Sequence, residues 1–207
     1  MLDDLKAQVC EANRLLESYR LVIFSWGNVS AIDRDQGVVA IKPSGVKYAD
    51  LTPGDIVLID LDGKRVEGDL NPSSDTPTHL ILYKAFPNIG GITHTHSRFA
   101  TVFAQACRPI PPLGTTHADH FHGDVPLTRP LRKPEVEADY EANTGHVIVD
   151  RFTKLNPDDV PGVLVATHGP FTWGKTPSES VKHSVILEEI AHMAYATLTL
   201  NPQSLCL

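Results

Sequence analysis

Between Leu21 and Asp60 the chain consists of short β-forming runs: Leu21-Val22-Ile23-Phe24, Val38-Val39-Ala40-Ile41 and Ile56-Val57-Leu58-Ile59-Asp60. Each is too short for a helix, each is closed by turn residues, and the last runs into the hairpin signal Asp62-Gly63. These runs predict sheet strands. Helical patterns flank them. Leu5, Val9, Ala12, Leu16 and Tyr19 form the apolar stripe of an amphipathic helix over residues 2–19. After the loop Asn71 to Thr76, a second helix is expected with Asp75 or Thr76 as its cap and Pro77 in its first turn. Ile89 to His96 reads as a buried strand, Ser97 to Cys107 as a helix, and the proline-rich Arg108 to Pro112 as its end. Gly114 to Pro134 reads as a structured loop with one short strand, Glu135 to Asn143 as a short charged helix, and Pro161 to Thr167 as a strand ending at His168-Gly169-Pro170. The capping box Thr176-Pro177-Ser178-Glu179 opens a helix that should run to about Leu198. Strands and helices alternate without a repeat or linker, which predicts one α/β domain over residues 1–207.

Charge narrows the function classes. Eighteen Lys and Arg against 25 Asp and Glu give a net charge of −7, with no basic excess for nucleic acid or an anionic membrane. No apolar run reaches the roughly 18 residues of a membrane span, and the start Met1-Leu2-Asp3-Asp4 is acidic where a secretory leader is basic, so a cytoplasmic protein is expected. Cys10, Cys107 and Cys206 are an odd number without a C-x-x-C pair, which argues against a disulfide framework or a thiolate zinc site. Ten histidines remain to be explained.

His94 and His96 are two apart in a predicted strand and therefore project to one side, where both imidazoles can reach one ion. His168 is a third candidate at the end of another strand; three neutral imidazoles with an open position make a catalytic zinc arrangement. A second cluster, His117, Asp119, His120 and His122, competes for the metal but falls in a polar segment with no strand to fix it. Asp119 in that segment is a candidate general acid or base. Three donor-rich turns suit an anion: Trp26-Gly27-Asn28-Val29-Ser30, Lys42-Pro43-Ser44-Gly45, and Ser73-Ser74 ahead of a helix N-terminus. Asp75 reads either as an N-cap or as a fourth ligand or base.

These segments, taken in order, resemble the class II aldolase/epimerase family: Ser25-Trp26-Gly27-Asn28-Val29-Ser30, Ile41-Lys42-Pro43-Ser44-Gly45-Val46, Pro72-Ser73-Ser74-Asp75-Thr76-Pro77-Thr78-His79, Gly90-Gly91-Ile92-Thr93-His94-Thr95-His96-Ser97, Gly114-Thr115-Thr116-His117-Ala118-Asp119 and His168-Gly169-Pro170-Phe171. The match looks most like the members that epimerise L-ribulose 5-phosphate to D-xylulose 5-phosphate. The resemblance implies a three-layer α/β/α sandwich around a mixed, mainly antiparallel sheet, in a cytoplasmic homotetramer with active sites at subunit interfaces. It implies one Zn2+ or other divalent ion per subunit, held by His94, His96 and His168 with Asp75 beside or on it. It implies that Gly27, Asn28, Ser44, Gly45, Ser73 and Ser74, with Lys42 in addition, hold a phosphorylated ketopentose. Asp119 becomes the acid/base of a retro-aldol cleavage and recombination. Related aldolases that act on fuculose or rhamnulose phosphate carry glutamate where this chain has Asp75, which favours epimerisation. Such family members carry a second acid/base tyrosine in a C-terminal tail, whereas this chain ends Leu205-Cys206-Leu207 and Tyr195 does not match that motif.

Overall fold

The computed structural model describes residues 2–207. Helix α1 (Leu2–Ser18) precedes β1 (Asn28–Asp33), β2 (Val38–Ile41), β3 (Val57–Asp60) and β4 (Arg65–Glu67). Then follow α2 (Thr76–Ala85), β5 (Gly91–His94), α3 (Arg98–Gln105), the short α4 (Thr115–Ala118) and α5 (Lys133–Arg151). The chain closes with β6 (Gly162–Leu164), β7 (Pro170–Gly174) and α6 (Pro177–Leu200). The seven strands form one sheet in the order β4-β3-β2-β1-β5-β7-β6, and every neighbouring pair is antiparallel. A single parallel bridge, Leu127 to Leu164, is the mixed element.

Side-chain alternation divides the sheet into two faces. Val29 and Ala31 of β1 meet α1, and Thr93 of β5 and Thr172 of β7 meet Ser180 of α6: Thr93 Oγ1 lies 2.7 Å from Ser180 Oγ, and Thr172 Oγ1 donates to the Ser180 carbonyl at 2.9 Å. On the other face Ile32, Ile41, Val57, Ile92 and Trp173 share one apolar cluster with Leu80, Leu82 and Tyr83 of α2 and Ile148 of α5. Helices on both faces make three layers, the architecture that the resemblance implied.

Several expectations give way. Residues 21–24 form no strand: Arg20 and Phe24 have φ of 58° and 57°, and Ile23 and Phe24 are 55% and 76% exposed. Apolar composition at 21–24 suggests a strand, but only Leu21 is buried, so the run has no second surface to pair on. The first strand starts at Asn28 instead, and Asn28 and Ser30, which read as turn residues, are buried in it. The charged helix at 135–143 extends to Arg151 with a break at Asp139 (φ −161°, ψ 92°). Gly114 to Pro134 contains the short helix α4 and one end of the isolated antiparallel bridge Ile110–Val125. His168 lies beyond β6, in the tight turn before β7.

Candidate metal and anion site

His94 is the last residue of β5, and its lateral neighbours are Asn28 on β1 and Phe171 on β7. Its ring stacks on Phe171 at 4.1 Å and 15°, and its Nδ1–H donates to the Pro170 carbonyl at 2.9 Å. That bond commits the proton to Nδ1 and leaves the Nε2 lone pair facing outward. His96 Nε2 lies 3.1 Å from His94 Nε2 and 3.0 Å from His168 Nε2. His168 is delivered by a turn that Gly169 permits, since a Cβ there would lie 2.9 Å from the Thr95 carbonyl. The adjacent Thr167 adopts φ of 67°, an uncommon conformation for a β-branched residue.

Among the described residues, His94, His96 and His168 form a group whose ligand atoms all lie within 4.8 Å of one another. Burial pushes His94 down to about 3, and the neighbouring His96 adds to the effect. Burial likewise pushes His168 to about 3, with His94 and His96 contributing, and lowers His96. The three imidazoles are therefore neutral near pH 7, with lone pairs converging on one point. This donor set fits a borderline divalent cation, and the orphaned buried Nδ1 of His168 marks a ring whose other nitrogen is the one in use. Asp75 stands outside the group: its Oδ2 accepts from Asn28 Nδ2 at 2.7 Å.

A cavity of about 340 Å³ opens beside these histidines, and the three donor turns form its opposite wall. The turns are laced together: Ser44 N–H donates to the Asn71 carbonyl at 2.9 Å, Ser73 N–H to the Lys42 carbonyl at 3.0 Å, and Asn28 Nδ2 to Ser73 Oγ at 3.0 Å. Gly27 makes this approach possible. Its φ is +110°, and a Cβ would come within 2.8 Å of the His94 carbonyl oxygen. Lys42 is 2% exposed, donates to the Pro43 carbonyl at 3.1 Å and lies 5.0 Å from the Tyr48 ring centroid. No ion pair among the described residues includes it, and burial pushes it down to about 8. A buried cation without a carboxylate partner is suited to a bound anion.

Gly27, Asn28, Lys42, Ser44 and Gly45 thus share one cavity with Ser73, Ser74, Asp75 and the three histidines. Asp119 does not line it; this residue caps the C-terminus of α4 and is exposed. The second histidine cluster gathers no ligand set among the described residues, because His117 turns its Nε2–H to the Gly123 carbonyl at 2.8 Å while His120 and His122 are exposed. Tyr140 and Glu141 also line the cavity, and the Tyr140 ring lies 5.6 Å from that of His168. Neither is among the residues expected from the sequence. The available signal is Asp139, whose carboxylate accepts from Ala142 N–H at 3.0 Å as an N-cap and restarts α5 there.

The family model described as the class II aldolase and adducin N-terminal domain matches residues 7–195. A solved L-fuculose 1-phosphate aldolase is 26% identical with a TM-score of 0.83, the match covering 99% of this chain and 90% of that one. YgbL from Klebsiella pneumoniae, named with aldolase, epimerase and decarboxylase as alternatives, is 25% identical with a TM-score of 0.77 over 97% of this chain and 92% of that one. The L-fuculose-1-phosphate aldolase of Thermus thermophilus, at 22% identity and a TM-score of 0.73 over 98% of both chains, shares the fold.

Proposed function

The chain belongs to the class II aldolase and adducin N-terminal domain family, and from that membership we propose that it is a metal-dependent L-ribulose-5-phosphate 4-epimerase. The observation that carries the reading is the pairing, in one cavity, of three converging neutral imidazoles with an anion cradle built around Lys42. A divalent cation, zinc in this reading, would be held by His94, His96 and His168 and when bound supplies Lewis acidity toward ketone and hydroxyl oxygens. The protein's own part is to anchor both halves of a cleaved sugar.

The fourth carbon of a ketopentose has no adjacent carbonyl to acidify its hydrogen, so inversion there calls for breaking and remaking the bond between the third and fourth carbons. Ser44, Gly45, Ser73, Ser74 and Lys42 hold the phosphate throughout. The aldehyde half can then turn its other face to its partner without leaving. Asn28, with its carbonyl oxygen buried and unpaired, offers an acceptor to a sugar hydroxyl while its amide keeps Asp75 in place. Asp119 moves the hydroxyl proton, and since it lies outside its own chain's cavity, this role calls for a second copy of the chain, in keeping with a homotetramer whose sites lie at subunit contacts.

The aldolase reading has its own support in the name of the 26% identical relative. Incubating metal-loaded protein with L-ribulose 5-phosphate decides between the two. Formation of D-xylulose 5-phosphate without free glycolaldehyde phosphate is expected. Accumulated aldehyde phosphate, or cleavage of L-fuculose 1-phosphate alone, would assign an aldolase.

A further inference from the structure

The fold treats the two tryptophans of the chain differently. Trp173 is 1% exposed, shares an apolar cluster with Leu82 of α2, and donates its indole N–H to the Pro157 carbonyl at 2.8 Å. Burial with a partner for the indole nitrogen is the ordinary use of so large a side chain. Trp26 is 53% exposed and belongs to none of the three apolar clusters among the described residues. Its aromatic neighbour is Phe24, in a T-shaped contact at 5.5 Å and 74°, and Phe24 is itself exposed. The concave surface that Trp26 does meet is the cavity, whose wall it helps to form.

The backbone ties this residue to the cradle. Trp26 N–H donates to the Ile23 carbonyl at 3.1 Å, which closes the turn before it. The next residue is Gly27, where a Cβ would meet the His94 carbonyl at 2.8 Å and Val22 Cγ1 at 2.9 Å, and whose own carbonyl accepts from Tyr48 Oη at 2.8 Å. The indole therefore stands one residue from the Gly27-Asn28 part of the wall. The rest of that wall offers mostly charge, donors and acceptors, among them Lys42, Ser73, Asp75 and the three histidines, and Trp26 brings the largest apolar surface to it. An inorganic anion or a bare cation has no use for such a surface. A sugar phosphate has one, because its hydroxyls and phosphate project from a carbon chain whose C–H groups are apolar and gain by leaving water against an aromatic ring.

We propose that Trp26 is a substrate-contacting residue of the cavity, its indole forming a platform for the C–H groups of the sugar carbon chain, with Phe24 packed against it as a support. The platform distinguishes a phosphorylated sugar from phosphate itself, which the cradle alone would hold. The inference rests on the proposed epimerase reading for the sugar phosphate class of the substrate, and not for which bond is broken.

The test measures binding of L-ribulose 5-phosphate, L-fuculose 1-phosphate and inorganic phosphate to zinc-loaded wild type, Trp26→Phe and Trp26→Ala by calorimetry, with tryptophan emission followed in parallel. Trp26→Ala should weaken the sugar phosphate by about tenfold and leave inorganic phosphate within about twofold, whereas Trp26→Phe, which keeps a ring, should stay within about threefold for both. In wild type the sugar phosphate should move the emission to shorter wavelength as water leaves the indole, and phosphate alone should not. Trp26→Phe, in which Trp173 is the remaining tryptophan, should lack that shift. Equal weakening of phosphate and sugar phosphate in Trp26→Ala would overturn the inference by making Trp26 a support of the cradle. Unchanged sugar phosphate affinity would overturn it as well, and a fall in subunit number by sedimentation in that case would assign the Phe24 and Trp26 face to a second copy of the chain. Should Trp26→Ala fail to fold, the emission of wild type and Trp26→Phe still decides. Binding of L-ribulose 5-phosphate with the expected dependence on Trp26 but without D-xylulose 5-phosphate formed, or the same dependence for L-fuculose 1-phosphate alone, supports the inference while overturning the epimerase reading. Epimerisation with wild-type kinetics in Trp26→Ala does the reverse, and a wild type that binds phosphate but neither sugar overturns both.

Discussion

Lys42 is held at about 8 by burial, against an unperturbed value of 10.5. A bound phosphate favours its charged form, so the contribution of Lys42 to substrate binding should be independent of pH below pH 8 and weaken above it. KM for a sugar phosphate is expected to rise toward tenfold per pH unit once the free protein loses that proton. The effect on the empty protein has the opposite sense. Between pH 8 and 10.5 the unfolded chain holds the proton that the folded one has lost, so this residue makes the protein more stable as pH rises through that window. Lys42→Met should raise KM by about 10- to 100-fold, the scale of a charged hydrogen bond of roughly 1.5–3 kcal/mol, and abolish the alkaline rise. A KM profile for both proteins between about pH 6.5 and 9.5 checks this. Gly27 makes a second prediction at the same scale. An added Cβ meets the backbone oxygen of His94 at 2.8 Å in a conformation of φ +110°, so Gly27→Ala should cost at least about 1–3 kcal/mol in chemical denaturation and loosen metal binding.

Among the elements, α3 shows how a helix end can serve a site. It starts two residues after His96, and its free N-terminal amides are capped from across the core by Glu188 of α6: Phe99 N–H lies 2.9 and 3.1 Å from the two carboxylate oxygens, and Ala100 N–H lies 3.0 Å from one of them. Glu188→Gln should lower stability by about 1 kcal/mol and speed metal loss to a chelator, because the frayed turn is the one that holds His96. An unchanged rate of chelation would show that the cap and the ligand are independent. Legibility follows the same division. Thr176 caps α6 by accepting from Glu179 N–H at 3.1 Å, a local contact that four consecutive residues spell out. The reciprocal half departs from the rule, since Glu179 reaches Lys175 N–H at 2.6 Å, one residue before the cap. What the sequence hides is non-local. Asp75 reads as an N-cap, and it occupies that position, but its carboxylate goes to Asn28 instead. Asn28 and Ser30 look like turn residues because they are polar, and the partners of their side chains, Asp75 for Asn28 and His79 and Tyr83 for Ser30, are in reach only once α2 lies over β1. Tyr140 reaches the cavity through a helix break that periodicity alone does not mark.

Over the whole molecule, buried neutral histidines couple the fold to pH. Burial holds His79 and His94 down to about 3, whereas in an unfolded chain they titrate near 6.5. In that interval the unfolded chain binds more protons than the folded one. Stability is therefore complete above about pH 6.5 and is lost as pH falls toward 3. Chelator-treated protein should show a clearly lower denaturation midpoint at about pH 5 than at about pH 7.5, and equal midpoints would contradict the burial assigned to these rings. Adding back zinc at the higher pH should raise the midpoint further, as expected of a ligand that binds only the folded form.

The strand order also has a consequence for how the chain is made. Strand β5 sits between β1 and β7, so its second neighbour is a segment whose contact residue, Phe171, comes 77 positions after His94 (171 − 94). During synthesis the β4-β3-β2-β1-β5 half can pair in sequence, while the far edge of β5 waits with its amides and carbonyls unmatched. His94 and His96 are then in place without His168 and without the Phe171 ring that backs His94. A nascent chain on the ribosome has only two of the three imidazoles in place, and the His94, His96 and His168 group is completed as a late event that coincides with closure of the sheet.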